Sequence, residues 1–154
     1  MISANLKNAL VASGFAKQYY ELCARHPSRN APAHKCSNAE ILATLAQLGS
    51  VSKLKGPGRI YEITAPELLD SVDFAFIIQG AGTYIEPCLG LTENSIRSGT
   101  NYAVLAFAAN AEAGSPAHTP AYPRPSFHDL GELKEVVSAA FKLATLVGNE
   151  VRRT

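Results

Sequence analysis

Four prolines, Pro116, Pro120, Pro123 and Pro125, fall within the fifteen residues from Glu112 to Ser126. Proline has no amide hydrogen to donate and its ring holds φ at about −65°, which excludes it from the interior of a helix or a central strand. The span is therefore expected to lie extended over the surface as a strap, and the flanking chain must supply the regular structure. After the strap, Leu130, Leu133, Val136, Val137, Ala140, Phe141, Ala144 and Val147 recur at helical spacing, with Ser126 or Asp129 as the cap. This pattern predicts a helix over 129–148 with one apolar stripe, and such a stripe needs a second layer to lie on.

The segments before the strap supply that layer. Ile60 to Thr64, Val72 to Gln79, Thr83 to Leu91 and Asn101 to Ala108 are short runs rich in β-branched and aromatic residues. They read as four strands within 57–109, joined by a glycine hairpin at Gly80-Ala81-Gly82 and a looser one over Thr92 to Thr100. Sequential hairpins imply an antiparallel meander. Lys53 to Arg59 reads as a turn, and Ala65 to Asp70 as a short helical turn with Pro66 at its first position. Upstream, Leu6, Leu10, Phe15, Tyr19 and Leu22 predict a helix from about 4 to 25, with Ser3 or Asn5 as N-cap and Pro27 as its stop. Ser37 or Asn38 begins a second helix with Ile41, Leu42, Leu45 and Leu48 on one face, Glu40 in its first turn and Gly49 at its end. The expectation is a single α+β domain over 1–154, with two N-terminal helices, a mainly antiparallel sheet of four to five strands, and a C-terminal amphipathic helix packed on the sheet.

Composition removes several function classes. Hydrophobic residues at 47% and charged residues at 18% are ordinary for a globular chain and unlike a disordered one. No apolar run reaches membrane-spanning length, and Met1 to Ala16 reads as a helix rather than a secretion signal. Three cysteines, an odd number at no framework spacing, suit reduced thiols in a cytoplasm. The net charge of +1 hides an asymmetry: residues 1–59 hold eight Lys or Arg against two acids, whereas 60–96 hold six acids and no Lys or Arg.

Each constellation that could carry chemistry meets an objection in its spacing or context. Cys23, His26, His34 and Cys36 are ligand types that zinc accepts, yet Cys-x2-His followed by His-x-Cys places neighbouring ligands awkwardly around one ion. Gly80-Ala81-Gly82 lacks the third glycine and the following helix of a phosphate loop. Cys88 with His118 or His128 carries no local nucleophile signature, and Glu86 with Glu93 could pair as acid and base only if their strand ends met. No catalytic residue, metal site or cofactor is assigned.

The region from 72 to 147 resembles small immunity proteins of bacterial polymorphic toxin systems, of the contact-dependent inhibition or type VI secretion kind. The resemblance lies in the order of Phe74 to Gln79, Gly80-Ala81-Gly82, Thr83-Tyr84-Ile85-Glu86-Pro87 with Gly90, Asn101 to Leu105, and Tyr122-Pro123-Arg124-Pro125-Ser126-Phe127 leading into Leu130 and Leu133. It implies a non-enzymatic protein that blocks a cognate toxin domain by stoichiometric binding. The acids Glu62, Asp70, Asp73, Glu86 and Glu93 would suit a toxin with a basic cleft, and Tyr84 and Arg124 are anchor types for any protein partner. The rival expectation is a nucleic-acid-binding regulator that uses Lys7, Lys17, Arg25, Arg29, Lys35, Lys53, Lys55 and Arg59. A pI near 7.7 and the lack of a helix rich in base-reading side chains weigh against it.

Overall fold

The structure is a computed structural model that describes residues 1–29, 35–79 and 83–154. The element order is α1 (Ala4–Ala12), α2 (Phe15–Arg25), α3 (Asn38–Leu45), β1 (Ser50–Lys53), β2 (Arg59–Thr64), β3 (Val72–Gln79), β4 (Tyr84–Glu93), β5 (Ile96–Asn101), α4 (Tyr102–Glu112) and α5 (Leu130–Arg152). The five strands form one antiparallel meander in chain order. The architecture is α+β, as the sequence implies.

One face of the sheet is apolar because the strands alternate. Along β3, Val72, Phe74, Phe76 and Ile78 are buried, while Asp73, Ala75, Ile77 and Gln79 on the other face are only half-buried. The buried face continues through Tyr61, Ile63, Ile85, Leu89 and Leu91 into the helical layer. Each large apolar side chain buried there contributes roughly 1.5–3 kcal/mol. Tyr102 sits at the centre, edge-on to Phe15 at 4.8 Å and to Phe74 at 6.1 Å, and its hydroxyl donates to the Ala140 carbonyl at 2.7 Å. Through that bond the first turn of α4 is tied to the middle of α5.

Four expectations are corrected. The helix expected over 4–25 is two helices, because Ser13-Gly14 breaks it: Gly14 has φ +68°, a left-handed conformation natural to glycine, and the Gln18 side chain donates to the Ser13 carbonyl at 2.9 Å. The strand expected over Asn101 to Ala108 is α4. Asn101 ends β5 and caps the helix, its side chain accepting from the Val104 amide at 3.0 Å. A fifth strand, β5, occupies the span read as a loose hairpin, and its turn is Asn94-Ser95, both with positive φ (51° and 66°), as a tight two-residue hairpin requires. Finally, β1 opens the sheet before the turn at 53–59, pairing Lys53 with Tyr61. The glycine hairpin expected at Gly80–Gly82 lies outside the described residues. Ser37 and Glu40 form a capping box at α3, and Asp129 caps α5.

The end of the strap is built into the sheet. Ile85 donates its amide to the Pro125 carbonyl at 3.0 Å, Phe127 donates to Thr83 at 2.9 Å, and Ser126 donates to the His26 carbonyl at 2.8 Å. The strap thus flanks the first part of β4, and β5 flanks the part from Cys88 onward. Glu86 and Pro87 lie between the two. Ile85 aims its amide at the strap side, so by the two-residue period Pro87 faces the same side, where no strand among the described residues waits for a donor. A proline in this central strand therefore costs no ladder bond.

Candidate partner-binding corner

The interval between the strap and β5 forms a cavity of about 340 Å³ lined by Glu86, Asn101, Ala103, Val104, Tyr122 and Arg124. Beside it, Gln79 and Tyr84 are paired across β3 and β4, on the face turned away from the helices. Arg124 reaches from the strap over both. Its guanidinium carbon stands 4.7 Å from the centre of the Tyr84 ring, and its Nη1 donates to Gln79 Oε1. The Gln79 amide then donates to Glu86 Oε2 at 3.2 Å. A contact of cation and ring at an exposed position contributes about 0.5–1 kcal/mol, so its main effect is to hold both side chains in one orientation.

Of the seven residues expected to meet a partner, Tyr84, Glu86 and Arg124 converge here. The other four do not. Asp73 accepts from Arg97 Nε and Nη2 at 2.9 and 2.8 Å, a bidentate pair that balances its charge. Arg97 can lie across the sheet there because Gly90, opposite Asp73, has no side chain to block it. Glu93 accepts from Asn5 Nδ2 at 2.8 Å and from the Ser3 hydroxyl at 3.4 Å, at the start of α1. It occupies the opposite sheet face from Glu86, so the two cannot act together as acid and base. Glu62 is half-buried opposite Ala75, and Asp70 is exposed between β2 and β3. Gln79, which links Arg124 to Glu86, escaped the sequence reading because a glutamine at a strand end has no signature until its partner across the hairpin is known.

A second polar cluster also went unread. Glu132, with a side chain only 11% exposed, takes His26 Nδ1 on one oxygen and His128 Nδ1 on the other, both at 3.0 Å. Arg29 donates to it at 3.2 Å and the His128 amide at 2.8 Å. A carboxylate can only accept, so both imidazoles donate to it from Nδ1. Burial pushes the Glu132 carboxyl up, but the two imidazoles, the Arg29 charge and the His128 amide outweigh it and hold the group below its ordinary value. The cluster ties the end of α2, the end of the strap and the start of α5.

The zinc ligand set does not assemble among the described residues. His26 is engaged with Glu132, Cys23 is buried in α2, Cys36 is buried before α3, and His34 lies outside the described residues. No group of three or more His, Cys, Asp or Glu among the described residues could hold a metal ion. Burial pushes the Cys23 and Cys88 thiols up to about 12, the state of small apolar groups rather than nucleophiles. In the basic N-terminal half, Arg29 serves Glu132 and Arg59 Nη2 donates to the Cys36 carbonyl at 2.6 Å. No helix among the described residues is long and apolar enough to cross a membrane. Comparison with protein-family models, curated proteins and solved structures finds no match.

Proposed function

We propose that this chain is an immunity protein that neutralises a cognate bacterial toxin domain by direct stoichiometric binding, acting in the cytoplasm, where its three cysteines stay reduced. The observation that carries this reading is the Tyr84–Arg124–Gln79–Glu86 corner: an aromatic and an arginine, the residue types most enriched where proteins bind, fixed in one geometry beside an open cavity. Fixing them before encounter lowers the ordering cost of association. Glu86, with one oxygen held by Gln79, adds an acidic group at the cavity wall. Asp73 and Glu93 have partners within the chain, so the acidic contribution to a toxin contact falls to Glu62, Asp70 and Glu86.

The test is co-expression of the tagged chain with the product of the gene immediately upstream, with that product also expressed alone. A product that kills cells alone, is neutralised by this chain and co-elutes with it at one-to-one stoichiometry is the expected result. A harmless product that forms no complex would overturn the reading, and steeply salt-sensitive affinity for DNA would move it to a nucleic-acid-binding regulator.

A further inference from the structure

Helix α4 is apolar on both sides, and among the described residues only one side is fully covered. Tyr102, Leu105, Ala106 and Ala109 are buried against α1, α2 and the sheet. Val104, Phe107, Ala108 and Ala111 recur at i, i+3, i+4 and i+7 on the other side, where Val104 and Ala108 are half-buried and Phe107 and Ala111 exposed. A helix that is apolar all round is a buried helix, so the outer stripe has the composition of a surface that something covers. Tyr122 of the strap extends the stripe: its ring lies 5.3 Å from that of Phe107, and the two are 55% and 38% exposed. Together they make a contiguous aromatic shelf, unlike the scattered single apolar residues of an ordinary surface.

The shelf runs between two cavities. At the start of α4 is the 340 Å³ cavity with Glu86 in its wall. Toward the end of α4 is one of about 110 Å³, lined by Tyr20, Phe107, Ala111 and His118 among others, and the buried Tyr20 hydroxyl has no hydrogen-bond partner among the described residues. Phe107 stands as a knob, and Ala108 and Ala111 leave room beside it for the ridge of a second helix. The stripe also has a carboxylate at each end, Glu86 and the exposed Glu112, whereas the Arg124 guanidinium is turned to Tyr84 and Gln79. An eleven-residue helix is about 16 Å long, so two shelves face to face would bury far less than the roughly 800 Å² per partner of a stable complex. The shelf suits the apolar centre of a larger heterologous interface better than a dimer.

We propose that α4 and Tyr122 dock an amphipathic helix of the partner protein, with its apolar side on Phe107, Ala108 and Ala111 and basic residues near its ends facing Glu86 and Glu112. This rests on the immunity reading and specifies which surface of the chain the toxin domain meets. The test uses the complex with the upstream gene product. The double variant Phe107→Ser, Tyr122→Ser is expected to weaken binding about 30-fold or more, the usual effect of losing a central hot spot. Ala111→Arg, an exposed position where arginine favours the helix, places a repelling bulky cation on the shelf and is expected to weaken binding as much while the circular dichroism spectrum stays unchanged. If the wild-type chain binds and rescues and both variants bind within twofold of it, the shelf is not the docking surface and the immunity reading survives. If the wild-type chain neither binds nor rescues, that reading falls and the docking proposal with it. A concentration-dependent dimer abolished by Phe107→Ser would assign the shelf to a second copy and overturn the proposal.

Discussion

The strap ends between two polar clusters that use similar groups in opposite ways. At Glu132, both carboxylate oxygens are occupied, the side chain is almost fully enclosed, and the partners come from α2, the following loop and the strap. At Arg124, three residues before Phe127, the guanidinium holds one hydrogen bond and one ring, its residue is exposed, and Glu86 beside it, with one oxygen held by Gln79, lines an open cavity. A saturated, enclosed charge cannot serve a partner without first being pulled from its own; a half-satisfied charge at the surface can. Enclosure and saturation place the first cluster in folding and support the proposal that the second serves binding, although a sequence reader sees a Glu and an Arg in both.

The largest effect that tests this contrast is the loss of Glu132. In Glu132→Ala, two enclosed imidazoles and the His128 amide lose their acceptor, and we expect a stability loss of about 3 kcal/mol by urea titration, since each enclosed donor left unsatisfied costs about 1–3 kcal/mol. A loss below about 1 kcal/mol would place Glu132 with ordinary surface groups and erase the distinction. Acid provides a graded version of the same experiment. Because the Glu132 carboxyl is held below its ordinary value, its contribution is complete above the unfolded value of about 4.3 and is lost as pH falls through the lower folded value. The stability gap between wild type and Glu132→Ala is therefore expected to narrow from about pH 5 toward pH 3, and a gap that stays constant would mean the carboxylate charge is not what the cluster uses.

The sheet shows how far sequence carries. Strand β3 was legible from Val72 to Gln79 because the run is short, rich in aromatic and β-branched residues and ended by Gly80, and α5 was legible from its stripe, continuing one turn past Gly148. Helix α4 was not, since Tyr-Ala-Val-Leu-Ala-Phe is apolar at every position, and a run with no period fits a buried strand and a buried helix equally well. Strand β5 was missed because Asn94-Ser95 makes a tight hairpin without the glycine that usually marks one. At the candidate site, Tyr84, Glu86 and Arg124 could be named from residue type, but their meeting depends on the strap docking beside β4, a contact between residues some forty apart in the chain with no local signal. Glu132 was missed for the same reason: His26 is distant in sequence, and only His128, four residues away, was within reach of a local pattern.

A smaller effect is expected at the corner. Arg124→Ala removes an exposed cation, one hydrogen bond and one ring contact, and its stability cost should stay below about 1 kcal/mol. Its affinity for the proposed toxin partner should fall about tenfold or more, because Tyr84 and Gln79 lose the group that orders them. The informative quantity is the ratio of the two losses. If Arg124→Ala cost as much stability as Glu132→Ala and left affinity unchanged, the corner would be a strap fastener and the binding assignment would pass entirely to the α4 shelf.

The smallest effect separates enclosure from geometry. Asp73 and Arg97 form a bidentate pair with geometry as good as anything at Glu132, yet their side chains are 38% and 51% exposed. If hydrogen-bond geometry alone made the Glu132 cluster structural, Arg97→Ala should be comparably damaging. If enclosure is the cause, water replaces the lost partner and the cost should be about 0.5 kcal/mol, shrinking further as added salt screens the pair. Gly90→Ala should reproduce that small loss from the other side, because a methyl group there occupies the space of the Arg97 guanidinium and pushes a flexible side chain away without disturbing the backbone ladder. Urea titrations of both variants at low and high salt measure this directly. A salt-independent loss near that of Glu132→Ala would mean that exposure does not separate the structural charges of this fold from the available ones, and Glu86 would then have to be tested for partner contact without that criterion.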